Sequence, residues 1–158
     1  MVGDVPGLDE RGEEMRILTV RQPWAWAIIH GGKDVENRVR NIAGGYRGPV
    51  AIHTALKRDD QGWVDFGAWR LTTSMRHQPM ALGEIIGVVD LVAVHEDACS
   101  EPEDAECGGC CTPWAMHDFW HLSLRNPRQL DEPIPYKGAL GLRRLDDETT
   151  ARILEAKR

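Results

Sequence analysis

Residues 21–38 read RQPWAWAIIHGGKDVENR and decide the fold, because an apolar helical pattern is followed there at once by charged residues. Apolar side chains recur at helical spacing from Trp24 onward. Pro23 suits the start of a helix, where its missing N–H is not needed. Gly31 and Gly32 predict the end of the helix, because glycine readily adopts a positive φ. The pattern therefore predicts a short helix that ends directly before the charges.

The charged half of this stretch predicts a strand. Glu36 and Arg38 then lie on one face about 7 Å apart, because side chains alternate along a strand. Lys33 stands in the preceding turn and is free to lean toward either face. The charges fit a solvated strand edge that resists pairing with other chains or a salt-bridge cluster that holds the strand. They also fit a binding site, because arginine's planar fork suits a phosphate, a carboxylate or a base edge.

The pattern Gly-x-Lys-x-x-Glu-x-Arg at residues 31–38, preceded by Gln-Pro-Trp-Ala, resembles the signature of the ASCH domain, a branch of the PUA-like superfamily. Three further matching pieces follow in order: YRGPVAIH at residues 46–53, IIGVVDLV at residues 85–92 and PIPYKGALGL at residues 133–142. The resemblance runs from about residue 17 to about residue 145. It implies an α+β fold, a small mixed PUA-like β-barrel with flanking helices.

The resemblance implies a ligand as well as a fold. It implies that RNA, a nucleotide or a modified nucleoside binds in a cleft between barrel and helix, lined by the Gly-x-Lys-x-x-Glu-x-Arg motif. Trp26 is the candidate for stacking on a base, because Trp24 already faces inward from the other side of the helix. The candidate ligand-binding residues are Lys33, Glu36, Arg38, Trp26, Gln22 and Arg21.

A hydrolase is the second function that the resemblance implies. One branch of the family cleaves the acetyl amide of an acetylated cytidine with a lysine, a threonine and a glutamate, and another ASCH member is associated with ribonuclease activity. Lys33 and Glu36 are the candidate catalytic residues, with Lys33 as base or nucleophile, because a desolvated lysine beside an arginine has a lowered pKa. Glu36 stands where the amidohydrolase branch has threonine, and no residue is matched to its later glutamate. This departure favours binding over catalysis.

Four cysteines form a second group, in a Cys/His-rich loop at about residues 95–117. A two-residue gap lets the cysteines of a Cys-x-x-Cys pair reach one tetrahedral zinc ion. The candidate ligands of a structural zinc are Cys99, Cys107, Cys110 and Cys111, with His95, His117 and His121 as alternates. The other interpretation is a loop with free thiols that stay reduced in a cytosol. A zinc-stabilised protein-interaction domain is thus a third possible function, and no organic cofactor is expected.

Length and composition fit one domain. The chain has 158 residues, of which 42% are hydrophobic and 28% charged. Residues 1–15 lack an apolar period and are predicted to be a disordered leader, followed by a single domain at residues 16–158. No apolar run approaches the ~18 residues of a membrane span and no signal-peptide core is present, so we expect a cytoplasmic protein. The net charge of −6 argues against general polyanion binding, so any nucleic-acid contact must be local.

Periodicity and turn residues predict the remaining elements. The predicted strands are Arg16–Val20, Pro49–Thr54, Glu84–Val94, Phe119–Leu124 and Leu140–Leu145. A helix is predicted from Asp59 or Asp60 to about Met75, and a final helix begins in the run Asp146-Asp147-Glu148, whose negative charge suits a helix start.

Overall fold

The computed structural model describes residues 14–61, 80–96 and 112–156. In this part of the chain the elements are β1 (Arg16–Val20), α1 (Trp24–His30), β2 (Val35–Arg38), β3 (Gly48–Thr54), β4 (Glu84–Glu96), β5 (Trp120–Pro135), β6 (Leu142–Arg144) and α2 (Asp147–Ala156). The predicted strands at β1, β3, β4 and β6 and the final helix are confirmed. Most of the predicted helix that ends near Met75 lies outside the described residues.

All six described strands form one mixed sheet with the order β2-β5-β4-β3-β1-β6. β1 and β3 are parallel, and every other neighbouring pair is antiparallel. The predicted α+β class is therefore confirmed. Among the described residues, no helix is long and apolar enough to cross a membrane.

The sheet curls, and a single side chain shows how strongly. Arg38, at the end of edge strand β2, donates from Nη2 to the Thr19 carbonyl of β1 over 3.0 Å. In a flat sheet these strands would be four spacings of about 4.8 Å apart, because β5, β4 and β3 lie between them. One arginine side chain cannot span that distance. The sheet must therefore bend round until β2 approaches β1, as in part of a barrel.

The two helices cover opposite faces of the curled sheet. Ile28 and Ile29 of α1 belong to one buried cluster, which includes Leu18, Ile52 and Leu122 from three strands. A second cluster lies on the other face, because side chains alternate along each strand. It is formed by Met15, Ile17, Ala51, Ile85, Val88, Leu130, Ile134, Leu145 and Ile153, the last of which lies on α2.

The N-terminal boundary is earlier than the predicted leader of residues 1–15 implies. Met15 is fully buried, and its carbonyl accepts a hydrogen bond from the Leu145 N–H over 2.8 Å. An apolar side chain that fills the second cluster belongs to the folded domain. Met15 therefore packs with the strands of the sheet rather than lying in a separate leader, and residues 1–13 lie outside the described residues.

β5 is much longer than the predicted strand Phe119–Leu124. It continues to Pro135, and beyond Leu124 it is paired in register only with β4. Register shifts interrupt this pairing between Ile85 and Gly87 and at two further places on β4. Because the outer edge of this half has no ladder partner among the described strands, prolines are tolerated there.

We expect Gly87→Ala to destabilise the fold, because α1 and β5 both approach β4 closely at this position. A Cβ there would lie 2.6 Å from the Arg128 carbonyl oxygen and 2.6 Å from Ile29 Cδ1. The backbone oxygen can move only if the β4–β5 pairing shifts. The free energy of unfolding, measured by urea denaturation, should fall by about 1–3 kcal/mol.

Gly45→Ala is the matched control for this substitution. A Cβ at that position meets no atom within 4 Å, so the expected change is within about 0.5 kcal/mol. Equal losses of stability in the two variants would contradict the close approach of Ile29 and Arg128 to Gly87.

Candidate functional site

The three charged residues of the motif come together as a chain of ion pairs. Lys33 Nζ lies 3.5 Å from Glu36 Oε2, and Arg38 Nε lies 3.5 Å from Glu36 Oε1. Glu36 and Arg38 share a face of β2 because they are two residues apart. Glu36 is opposite Leu122, so this face is the one that contributes to the α1 cluster. One carboxylate therefore faces two cations at the edge of a buried apolar cluster.

Lys33 is enclosed on several sides. Its side chain is only 5% exposed, and its ammonium donates a hydrogen bond to the Val35 carbonyl. The same Nζ lies 5.9 Å from the ring centroids of Trp24 and Trp114. Burial lowers the pKa of Lys33 from its usual value, an effect to which Arg38 adds and which the negative charges of Glu36 and Asp34 partly offset. The site thus favours a neutral amine more than water does.

The end of α1 places Lys33 in this position. The N–H groups of Gly31 and Lys33 both donate to the Ala27 carbonyl, over 2.9 and 3.0 Å. Gly32 between them has a φ of +75°, a conformation that glycine adopts without strain. The chain therefore turns sharply under the helix and brings the lysine against its apolar face. The sequence prediction that two glycines end this helix is confirmed.

Trp114 is a member of the site that the motif did not reveal. Asn37 holds its segment, because the Asn37 side chain donates to the Trp114 carbonyl over 2.9 Å and accepts from the Met116 N–H over 2.9 Å. Thr112 adds a hydrogen bond to Asp34 over 2.7 Å. The only signal in the sequence was the abundance of tryptophan, which gives no position.

Three of the predicted ligand-binding residues take other positions. Gln22 is buried, its side-chain Oε1 accepts from the backbone N–H of Trp26 over 2.9 Å, and its side-chain Nε2 donates to the Ala81 carbonyl over 3.2 Å. Trp26 is half-buried, packs with Ala27 near Trp114, and lies against His30 with ring centroids 5.3 Å apart. Arg21 is exposed. Of the predicted set, the structure brings together Lys33, Glu36 and Arg38.

A cleft of about 450 Å³ opens beside Arg38. It is lined by Arg38, Val39, Arg40, Ile42, Leu140 and Gly141. Val39 and Leu140 are 76% and 86% exposed, so their apolar side chains are accessible to a ligand. The cleft thus combines two arginines with exposed apolar residues.

Thr19 holds both sides of this cleft. Its carbonyl accepts from Arg38 on one side. Its hydroxyl accepts from the Ala139 N–H over 3.1 Å on the other. The segment that contains Ala139 is also held three residues earlier, at Tyr136, whose carbonyl oxygen lies 2.7 Å from His53 Nε2. The walls that carry Arg38 and Leu140 are therefore tied to the same residue of β1.

The predicted zinc ligands fall in two groups. The four cysteines, Cys99, Cys107, Cys110 and Cys111, lie outside the described residues. Of the alternates, His95 and His121 lie together, with ring centroids 5.0 Å apart, while His117 is exposed. Within residues 14–61, 80–96 and 112–156, no three His, Cys, Asp or Glu side chains form a group able to hold a metal ion.

We expect the contribution of Lys33 to the free energy of unfolding to increase as pH rises toward 10.5, its usual pKa. The unfolded chain returns Lys33 to its usual pKa of 10.5, whereas burial lowers the pKa in the folded protein. Between these two values the unfolded state binds more protons, so the free energy of unfolding increases with pH. Urea unfolding of wild type and Lys33→Met at several pH values from about 7 to about 10 isolates this contribution.

The matched control for this titration is Lys57→Met, since Lys57 is exposed. Urea unfolding of this variant at the same pH values corrects for the loss of one positive charge. A difference between wild type and Lys33→Met that stays flat, or that decreases as pH rises, would contradict the buried position of the Lys33 ammonium.

Comparison with known proteins agrees with the motif. The sequence model of the ASCH domain matches residues 18–134. Two crystal structures of mutant forms of ZmASCH from Zymomonas mobilis have a similar fold. The first is 15% identical with a TM-score of 0.53, and the match covers 89% of this chain and 96% of that chain. The second is 14% identical with a TM-score of 0.51, and the match covers 96% of this chain and 98% of that chain.

These structural likenesses, at low identity, bear on the fold alone, and they confirm the predicted PUA-like α+β architecture. The match to the family model spans well over half of the sequence. The chain therefore belongs to the ASCH domain family.

Proposed function

We propose that the protein binds single-stranded RNA or a nucleotide in the cleft beside Arg38. The observation that carries the proposal is the composition of the cleft, in which Arg38 and Arg40 stand beside the exposed apolar side chains of Val39 and Leu140. Guanidinium groups suit phosphate oxygens and base edges. Apolar walls suit the faces of bases, which every nucleotide presents. Membership of the ASCH family, whose PUA-like fold is often an RNA-binding one, supports the same ligand class.

Arg38 is suited to this role because its guanidinium is fixed in place. Its Nε faces Glu36 over 3.5 Å, and one Nη2 proton is donated to the Thr19 carbonyl. Arginine has five N–H donors, and among the described residues only Thr19 accepts a hydrogen bond from one of them. The side chain is 27% exposed, which gives a phosphate access to it. A fixed guanidinium loses little conformational entropy when the ligand binds.

The proposed contact is local and does not depend on a positive protein. The chain carries a net charge of −6, which disfavours a polyanion over most of the surface. Arg40 is exposed and lies two residues beyond Arg38, so both arginines border the same cleft. Binding at such a site requires only a few nucleotides.

Hydrolysis of the ligand is the weaker candidate because of the position of Lys33. A base or nucleophile must reach the reacting bond, yet Lys33 does not line the cleft and its ammonium lies between two tryptophan rings and Glu36. The lowered pKa of Lys33 would suit catalysis, but the same burial that causes it separates the amine from the cleft. We therefore propose binding without a chemical step.

The test is fluorescence anisotropy of a labelled single-stranded oligouridine, titrated with wild type and Arg40→Ala. Arg40 is exposed, so its removal should leave the fold intact. We expect weaker binding and a salt dependence, the slope of log K against log salt, that is smaller by about 0.7, as for the loss of one contact to a single-strand phosphate. Nucleoside monophosphates should compete for the site.

Arg152→Ala is the control, because it removes the same charge from an exposed position on α2, which packs against the other face of the sheet. It should bind like wild type. Equal weakening by the two substitutions, or no binding by wild type, would refute the cleft as the binding site. We expect the RNA to be recovered intact; cleavage of the RNA, or deacetylation of acetylated cytidine, by wild type but not by Lys33→Ala would replace binding with hydrolysis.

A further inference from the structure

His95 and His121 form a pair outside the Arg38 cleft. They are direct partners in the antiparallel register of β4 and β5, which places their side chains on the same face of the sheet and close together. Their ring centroids are 5.0 Å apart with the planes nearly perpendicular. His121 is in turn opposite Asn37 of β2. Because neighbouring strand residues point to opposite faces, this pair lies on the face opposite to Glu36.

Hydrogen bonds define the protonation of both rings. His121 Nε2 lies 2.7 Å from the Met116 carbonyl oxygen, and His95 Nδ1 lies 2.9 Å from the Glu96 carbonyl oxygen. A carbonyl only accepts, so each of these nitrogens carries the proton. In a neutral imidazole the other nitrogen then has a free lone pair. That nitrogen is Nδ1 in His121 and Nε2 in His95.

Both lone pairs are buried without a partner. His121 is only 1% exposed. Neither His121 Nδ1 nor His95 Nε2 has a hydrogen-bond partner among the described residues. A buried acceptor left unpaired costs about 1–3 kcal/mol. Packing alone does not compensate two such acceptors on adjacent rings, whereas a shared ligand that accepts electron pairs would satisfy both.

We propose that His95 and His121 bind one divalent transition-metal ion of the zinc type through His95 Nε2 and His121 Nδ1. Neutral imidazole is a common ligand of zinc. Histidine ligands of metals usually donate their other N–H to a carboxylate or a backbone carbonyl, as both rings do here. No third His, Cys, Asp or Glu of the described residues joins the pair. Water would fill the remaining positions of the ion.

Such an ion would also stabilise the surroundings of Lys33. His121 holds the Met116 carbonyl, and Asn37 holds the Trp114 carbonyl and the Met116 N–H. The metal would thus fix the ring whose other nitrogen anchors the segment that carries Trp114. The proposed metal site is structural. It does not require the proposed RNA binding, and it is inferred from different residues.

The test is a zinc titration of the metal-stripped full chain, followed by isothermal calorimetry, for wild type, His95→Ala and His121→Ala. We expect wild type to bind about one equivalent of Zn²⁺ and each variant to bind at least about tenfold more weakly. Zinc should also raise the Tm of wild type, because it binds the folded state. His30→Ala, which removes an exposed histidine from α1, should bind zinc like wild type.

If the buried His121 proves necessary for folding, His95→Ala becomes the decisive variant, because His95 is only half-buried. Far-UV circular dichroism of the zinc-free variants identifies loss of fold separately from loss of the metal. Absence of zinc binding by wild type, or an affinity in His95→Ala equal to that of wild type, would overturn the proposal.

Discussion

The carboxylate of Glu36 is the group on which the arrangement of the site depends. It is the shared partner of Lys33, which follows α1, and of Arg38, which ends β2. Arg38 extends the connection to Thr19 of β1. A buried ammonium without a counter-charge is costly, so Glu36 permits the burial of Lys33 and at the same time orients Arg38. One residue thereby links the helix, the edge strand and the strand that the curled sheet brings near.

This linkage separates structural from ligand-facing roles within one short motif. Lys33 and Glu36 lie inside, against tryptophan rings and the α1 cluster. Arg38 lies at the boundary, and Arg40 is exposed beyond it. A cluster of charges can hold a strand in place and still serve a binding site, because an ordered guanidinium reduces the entropy lost on binding. The salt-bridge and binding interpretations of the motif are thus compatible.

The sequence predicted the parts of the site that depend on local geometry. Alternation along a strand was enough to place Glu36 and Arg38 on one face. It could not show that Gln22 uses both ends of its amide inside the protein, or that Trp114 reaches Lys33 from a distant segment. The long strand β5 was missed for a related reason. Its second half is polar and contains prolines, which is typical of a loop unless the strand has an unpaired edge.

A double-mutant cycle between Glu36→Gln and Arg38→Gln tests the central claim most directly, with the free energy of unfolding as the measured quantity. If Glu36 holds Arg38 in place, either substitution removes their interaction, and the double variant loses less stability than the sum of the single losses. The expected coupling is about 0.5–3 kcal/mol, the range for residues in contact. Losses that add to within about 0.3 kcal/mol would show that Glu36 and Arg38 act independently, and would contradict the account.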